Sequence, residues 1–267
     1  MMFNAKPKIH NILIKYFKLD LRPIDYSKGW GLRDDDSHLF LWGTRTANLF
    51  KEKNNINIVG NPLSDDLYNG YFKKTKDLSL LKTLGFDDNK KTILLSAQCL
   101  RDCNKAEPLN WYSNIAEASK TNYLVIKVHP RDDINNFKAF NGRKNVTIIQ
   151  HDYNFRTLLK ISDVNLSHYS ATSMDAVLYG IPVILLPSNI LRQDSLDYWF
   201  GADIFFRPQS MESCVDYIEQ ALSASFDEVH RSKREAFILD MFSEHVGNSK
   251  KVVINKINNL LYNLDKG

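Results

Sequence analysis

The stretch from Ile161 to Pro187, ISDVNLSHYSATSMDAVLYGIPVILLP, constrains this chain more than any other. It reads as a short strand (Val164 to Ser167), a hydroxyl-rich turn (His168 to Ser173), a helix over Ser173 to Tyr179, Gly180 as its stop, and a second apolar strand (Pro182 to Leu186). That is a compact β-α-β unit. Its turn places Ser167, Ser170, Thr172 and Ser173 where the carboxyl end of a parallel strand meets the amino end of a helix, the edge at which open α/β sheets bind ligands. Unpaired N–H groups and a partial positive charge suit that helix end to phosphate, and small hydroxyls add donors without blocking the approach. One hydroxyl is enough to cap a helix, so four within seven residues point to phosphate binding beyond capping.

The rest of the chain from Lys91 onward repeats the same alternation. Strands are expected at Thr92 to Ser96, Tyr123 to Val128, Val146 to Ile149 and Asp203 to Phe206, in addition to the two above. Helical patterns separate most of them, at Glu107 to Lys120, Phe155 to Ile161 and Asp194 to Phe200, with a shorter one at Ile134 to Phe140. The strands are short runs of Val, Ile and Leu without strict alternation, the signature of strands covered on both faces. The expected fold class is therefore α/β, a parallel, doubly wound, Rossmann-like sheet. Three helices (Met211 to Leu222, Asp227 to Phe242, Lys250 to Leu264) close the chain.

Upstream, Lys8 to Leu19 has helical spacing, and Arg22 to Asp36 reads as a loop ending in three aspartates, Asp34 to Asp36. No partner ligands stand at a supporting spacing, so the triplet reads as a solvated loop rather than a metal site. His38 to Trp42 and Ile56 to Val59 read as strands, Thr44 to Lys53 as a helix, and Gly60-Asn61-Pro62 as a turn. The organisation expected is a partial amino-terminal α/β domain over residues 1–68, a linker over 69–88 with one helix at Leu78 to Leu84, and a nucleotide-binding domain over 89–267.

Composition narrows the classes. The chain has 267 residues, 43% hydrophobic and 25% charged, with a formal charge of +4. No basic run interleaves with aromatics, so nucleic acid is not an expected partner. Cys99 and Cys103 form a C-x3-C without the second ligand pair of a zinc site, and no cofactor or metal is expected. Neither a signal peptide nor a membrane-spanning run is visible, which gives an expectation of a cytoplasmic protein. The last helix alternates apolar residues with Lys250, Lys251 and Lys256, so peripheral contact with an anionic inner membrane face stays open beside packing on the protein itself.

Further candidate residues lie at the same sheet edge. The strand Tyr123 to Val128 ends in His129-Pro130, where an imidazole can donate a hydrogen bond or charge to phosphate, with Lys127 and Arg131 nearby. After the first strand of this sheet, Ser96, Gln98 and Arg101 could reach phosphate or sugar, or form an ordinary polar loop. Asp175, in the helix after the hydroxyl turn, could accept hydrogen bonds from a ribose diol or simply favour the helix dipole.

These patterns resemble a known family. S-D-V-x-L-S-x-Y-S-A-T-S-x-D-A-x-x-x-G-x-P-V-I looks like the carboxyl-terminal, nucleotide-binding half of GT-B glycosyltransferases. K-V-H-P followed by S-x-T-S is similar to the paired HP and serine motifs of bacterial sialyl-, polysialyl- and Kdo-transferases and of teichoic-acid glycerophosphotransferases. L-W-G-T (Leu41 to Thr44) and I-V-G-N-P-x-x-D (Ile58 to Asp65) resemble the end of the first domain and the crossing into the second. The resemblance implies that His129 stabilises the leaving nucleotide's phosphate. It also implies that Ser170, Thr172 and Ser173 hold that phosphate, that Asp175 stands where a Glu often binds ribose, and that Ile149 to Tyr153 lie near the base. Only about sixty residues precede the linker, so a truncated or reduced amino-terminal domain is expected, completed in one reading by a partner chain.

The function expected is a metal-independent transferase of the GT-B type. It would move a sugar or polyol phosphate from a nucleotide donor, CMP- or CDP-linked, to a glycan or lipid-linked glycan of the bacterial surface. Two alternatives stand beside it: a sugar-nucleotide epimerase or hydrolase of the same fold, and a non-catalytic nucleotide-binding remnant.

Overall fold

A computed structural model describes residues 38–48, 55–71, 76–168, 170–187, 201, 203–223 and 226–264. By internal contacts the chain forms two compact units, Met1–Asp66 with Ile238–Gly267, and Leu67–Phe237. This division places residues 69–88 inside the second unit and the last helix with the first. The helical pattern at Lys8 to Leu19, the aspartates Asp34 to Asp36 and the helix at Asp194 to Phe200 lie outside the described residues, as do residues 49–53 of the helix read at Thr44 to Lys53.

The described part of the first unit begins with β1 (Leu39–Leu41), α1 (Thr44–Ala47) and β2 (Ile56–Ile58). β1 and β2 pair in parallel, Leu39 with Ile56 and Leu41 with Ile58. Leu39 and Leu41 are buried against Ala47 and Ile56. The chain enters the second unit within α2 (Asp65–Tyr71) and then forms α3 (Leu78–Thr83), capped by Asp77, whose carboxylate accepts the Leu80 N–H at 3.0 Å.

The second unit is built on β3 (Thr92–Ser96), β4 (Tyr123–Lys127), β5 (Val146–Ile149), β6 (Val164–Ser167), β7 (Val183–Leu185) and β8 (Phe205–Phe206). Between them run α4 (Ala106–Ala118), α5 (Phe155–Leu159) and α6 (Ala171–Leu178), and α7 (Met211–Leu222) follows β8. The six strands are all parallel, in spatial order β5-β4-β3-β6-β7-β8. Chain order therefore runs outward from β3 to one edge and, starting again at β6, outward to the other, the doubly wound arrangement of a Rossmann fold.

The residues explain the sheet. β3, TILLS, is buried along its whole length. On one face Ile93, Leu95, Leu124, Ile126, Val164, Leu166 and Ile184 pack with Tyr112 and Ile115 of α4, Phe137 and Phe140, and Cys214 and Ile218 of α7. The alternate positions Leu94, Val125, Val183 and Leu185 are equally buried, so both faces are covered, as parallel strands require. The segment Ile134–Phe140 is a 3-10 helix. α6 begins at Ala171, two residues before the sequence reading places it, because Ser170 is its N-cap and accepts the Thr172 N–H at 3.3 Å.

The chain returns to the first unit within α8 (Phe226–Phe242) and ends in α9 (Ser249–Leu264). Gly60 has φ +77, and a Cβ there would lie 2.2 Å from Ser249 Oγ, so conformation and space both demand glycine. Asp65 is 3% exposed, and its two carboxylate oxygens accept the N–H groups of Ser249 at 3.0 Å and Lys250 at 2.8 Å. The G-N-P-x-x-D pattern thus has a structural cause: its glycine makes room for the start of α9, and its aspartate caps it. Val252, Val253, Ile257, Leu260 and Leu261 of α9 are only half-buried, and Ile254 is exposed.

Removing a doubly accepting, buried cap should cost about 2 kcal/mol. Asp65→Ala is expected to lower the melting temperature by roughly 4–8 °C, a shift within reach of a calorimetric scan of the two proteins side by side.

Candidate nucleotide-binding site

The switch between the two windings lies where β3 and β6 pair. One row of backbone partners crosses the sheet at its carboxyl edge: Ile149, Lys127, Ser96, Ser167 and Leu185. The loops leaving that row carry Gln98, Arg101, His129 and Ser170, with Thr172, Ser173 and Asp175 following in α6, and at a switch point such loops diverge to opposite faces, opening a crevice.

The hydroxyls of the crevice differ in state. Ser96, 8% exposed, accepts from the Asn165 carboxamide at 3.1 Å. Ser170 Oγ is occupied as the cap of α6. Ser167 and Ser173 are fully buried, and their Oγ atoms, with Thr172 Oγ1, have no hydrogen-bond partner among the described residues. Buried hydroxyls are normally satisfied, so three orphans around the start of one helix mark a place built to receive a polar group.

His168, which the sequence reading placed in the turn without a role, follows directly after β6. Its Nδ1 lies 2.7 Å from the Pro187 carbonyl, which can only accept, so the proton sits on Nδ1. Nε2 is buried and has no partner among the described residues. Burial pushes the pKa down to about 4, and the ring is neutral at physiological pH.

His129 stands at the exit of β4, half-buried. Its Nδ1 accepts the Arg131 N–H at 3.2 Å, which leaves the proton of the neutral ring on Nε2, a donor. Burial first, and then the positive charge of Arg131, hold its pKa below the usual value, against the opposing pull of Asp132 and Asp102. Lys127 donates to the Gln150 carbonyl, and burial lowers its pKa. Arg131 pairs with Asp102. The Gln98 N–H donates to the Tyr112 hydroxyl at 2.9 Å, fixing the loop after β3, and Arg101 is exposed on a 3-10 turn at Leu100–Asp102.

Asp175 has a partner that sequence reasoning missed. Arg156, on α5, grips its carboxylate with Nε at 2.9 Å and Nη2 at 3.1 Å, while burial raises the carboxyl pKa. A ribose diol at Asp175 would share the carboxylate with that guanidinium. Asp163 of the S-D-V pattern lies at the opposite end of β6. It accepts the Thr92 N–H at 2.7 Å and Lys76 Nζ at 2.9 Å, which makes it structural. Among the described residues no cluster of three or more His, Cys, Asp or Glu is placed to hold a metal ion, and no helix is long and apolar enough to cross a membrane.

The family model for CDP-glycerol:poly(glycerophosphate) glycerophosphotransferase matches residues 44–259. The chain belongs to this family. It is one of those the HP and serine motifs resemble, and the match takes in β2 of the first unit and the whole parallel sheet of this glycerophosphotransferase-family chain. No curated protein sequence matches.

Among solved structures, similarity extends to a UDP-GlcNAc 2-epimerase of Methanocaldococcus jannaschii in complex with UDP-GlcNAc and UDP, with a TM-score of 0.58 at 17% identity over 83% of this chain and 61% of that one. The wall teichoic acid polymerase TagF, soaked with CDPG, gives 0.53 at 17% over 85% and 57%. A glycosyltransferase of Rickettsia africae gives 0.55 at 12% over 84% and 63%. At these identities the likeness is one of fold, an α/β fold with a parallel sheet and GT-B-like neighbours. The chain spans about three fifths of the length of the structures it matches.

The buried neutral imidazole of His168 makes stability depend on pH. In the unfolded chain a histidine binds a proton below about 6.5, but in the fold His168 does so only near 4. No loss is expected above pH 6.5. Between the two values the unfolded state holds more protons, and folding stability falls by about 1.4 kcal/mol per pH unit, roughly 3 kcal/mol in all. Urea unfolding of the native chain and of His168→Gln at pH 7, 6 and 5 should show a difference in slope of that size. Parallel curves would mean that His168 titrates normally.

Proposed function

We propose that this chain is the catalytic, donor-binding part of a transferase that moves a polyol phosphate, glycerol phosphate in the simplest case, from a CDP-linked donor to a hydroxyl of a bacterial surface polymer. The observation that carries the reading is the row of orphan hydroxyls at the start of α6, set at the switch point of a parallel sheet in a chain of the glycerophosphotransferase family. In this reading the diphosphate lies over the amino end of α6, with Ser170 to Ser173 beneath it and Ser96, Gln98 and Arg101 on the facing loop. His129 offers its Nε2–H from the next strand exit. Lys127 gives one of its three N–H donors to the Gln150 carbonyl and keeps the others for phosphate.

The chemistry is a substitution at phosphorus. An acceptor oxygen forms a bond to the phosphorus that carries glycerol, the bridging P–O bond to the cytidylate breaks, and CMP departs with the electron pair. The acceptor's proton passes to a base that we do not assign to a residue of this chain. The negative charge that builds on the departing phosphate is met by fixed donors, the helix amino terminus and the His129 N–H, groups that need little reorganisation during the reaction. Turnover is expected to persist in EDTA, because these donors rather than a metal ion carry the charge.

Thermal shift against CMP, CDP, UDP and GDP is the first test. Ligand at about a hundred times its Kd adds roughly 2.7 kcal/mol to stability, so the cytidine nucleotides should raise the melting temperature clearly. His129→Ala is expected to lower turnover with CDP-glycerol and envelope acceptor by about 10²- to 10³-fold, and Ser170→Ala to weaken the nucleotide shift. Unchanged affinity and turnover in His129→Ala would remove it from the site. Conversion of CDP-glycerol without acceptor would indicate an epimerase or hydrolase instead, and nucleotide binding without any turnover a non-catalytic remnant.

A further inference from the structure

The turn that carries His129 is held from both sides by two residues, Gln150, which lies within the segment expected near the base, and Asp132, which carries no expected contact with the donor. On one side is Gln150, the residue after β5. Its carboxamide Nε2 donates to the Asp132 carbonyl at 2.6 Å and to the His129 carbonyl at 3.4 Å. Its own carbonyl accepts Lys127 Nζ, which anchors it to β4. On the other side is Asp132, only 6% exposed. Its N–H closes the turn by donating to the His129 carbonyl at 2.9 Å. Its carboxylate reaches across to the loop after β3, accepting the Leu100 N–H at 2.9 Å and facing the Cys99 thiol at 3.8 Å.

A buried carboxylate is costly unless its acceptors are filled by charge-assisted bonds, and here the donors come from the loop of a different strand. The turn His129-Pro130-Arg131-Asp132 is therefore fastened to β5 on one flank and to the β3 loop on the other. The imidazole itself is steered by the Arg131 N–H within that turn. Where the turn goes, the ring goes.

We propose that Asp132 and Gln150 are positioning residues for His129: together they clamp its turn between the exits of β3 and β5 and so fix where its Nε2–H points. Asp132 also joins the two loops that would flank the donor, the one bearing His129 and the one bearing Gln98 and Arg101, so that neither moves without the other. This assignment rests on the donor-site reading for its effect on catalysis, but the clamp itself is a property of the fold.

The two can be tested apart. The titration of the His129 ring is followed by its Cε1–H resonance in the nucleotide-free protein, where a clamped, half-buried ring titrates below an ordinary histidine. Gln150→Ala changes no charge. Loosening the turn should rehydrate the ring and move its midpoint upward toward that of an ordinary histidine. Asp132 adds a complication, because its charge favours the protonated ring. The informative comparison is therefore Asp132→Ala against Asp132→Asn, which lose the same charge while only Asn keeps an acceptor for the Leu100 N–H. The Ala variant should titrate higher than the Asn variant.

With CDP-glycerol and acceptor, Gln150→Ala and Asp132→Ala are expected to lose about ten- to a hundredfold in kcat with smaller changes in KM, and Asp132→Asn to recover most of the loss. A His129 midpoint equal in Gln150→Ala and the native chain, and equal in the two Asp132 variants, would overturn the clamp. If Gln150→Ala fails to fold, the Asp132 pair decides alone. Failure of the native chain to bind or turn over cytidine nucleotides would sink the donor reading, and the titration alone would then decide whether the clamp exists.

Discussion

The pairing of β3 with β6 is the contact on which the rest of the second unit depends. These strands are neighbours in space but separated in the chain by two complete strand-and-crossover passages, so their parallel register fixes both windings at once. That register sets Ser96 opposite Ser167, and the flanking pairings extend the row to Lys127 and Ile149 on one side and Leu185 on the other. A slip of one residue would turn Asn165 and Ser167 into the face now filled by Val164 and Leu166, against Ile93, Leu95 and the helices of the main core. The exits carrying His129, Gln98 and His168 are consequently placed by the packing of aliphatic side chains several residues away from any of them. Site geometry here is a by-product of core geometry.

That core has an unusual boundary. Asn165 is completely buried in the middle of the sheet, donating to the Leu94 carbonyl and to Ser96 Oγ, while its Oδ1 has no partner. With Ser167, Ser173 and His168 Nε2 it forms a run of unsatisfied polar atoms leading from the sheet interior to the first turn of α6. Each such atom costs on the order of 1–3 kcal/mol relative to a satisfied one. The places where a fold departs from its own packing rules are commonly the places that serve a ligand. Along β6 the cost falls at the switch point, whereas the strand's other end is satisfied by Asp163 with Thr92 and Lys76.

Much of this is legible in the sequence because it is local. Runs such as Thr92 to Ser96 and Val164 to Ser167 announce buried parallel strands, and Ser170 followed by an apolar helix announces a cap. The helix start reads two residues late because Ala171, Thr172 and Ser173 look like a turn, yet hydroxyl residues are readily accommodated in a first turn once a cap stands before them. Residues 69–88 read as a linker for their lysines and acids, although Leu80 and Leu81 are buried and α3 belongs to the second unit. What stays invisible is non-local. Nothing near Asp65 hints at the start of α9, 184 residues on, nothing near Asp132 hints at Leu100, and Arg156 carries no mark of its pairing with Asp175. Side-chain partners across a sheet edge are chosen by topology, which composition and periodicity do not encode.

The same non-local pairs decide the electrostatics of the crevice. Lys127 is turned onto a backbone carbonyl, Arg131 onto Asp102 and Arg156 onto Asp175, so cations that the sequence offers to phosphate are engaged with the protein. Beside these cations stand neutral donors, hydroxyls and the N–H groups of α6, together with His129, whose pKa burial and Arg131 hold below the usual value. A dianionic phosphate arriving beside His129 would reverse the balance that burial and Arg131 impose on that ring, favouring the imidazolium. In the proposed reading, binding of the ligand and uptake of a proton would then be one coupled event, with the positive charge appearing only when there is a phosphate to receive it. A permanently charged lysine in that place would attract phosphate equally before and after the reaction. In the proposed reading, a histidine whose pKa is held below the usual value would strengthen its bond as charge accumulates on the departing group and relax it when the product leaves, the differential interaction that catalysis requires.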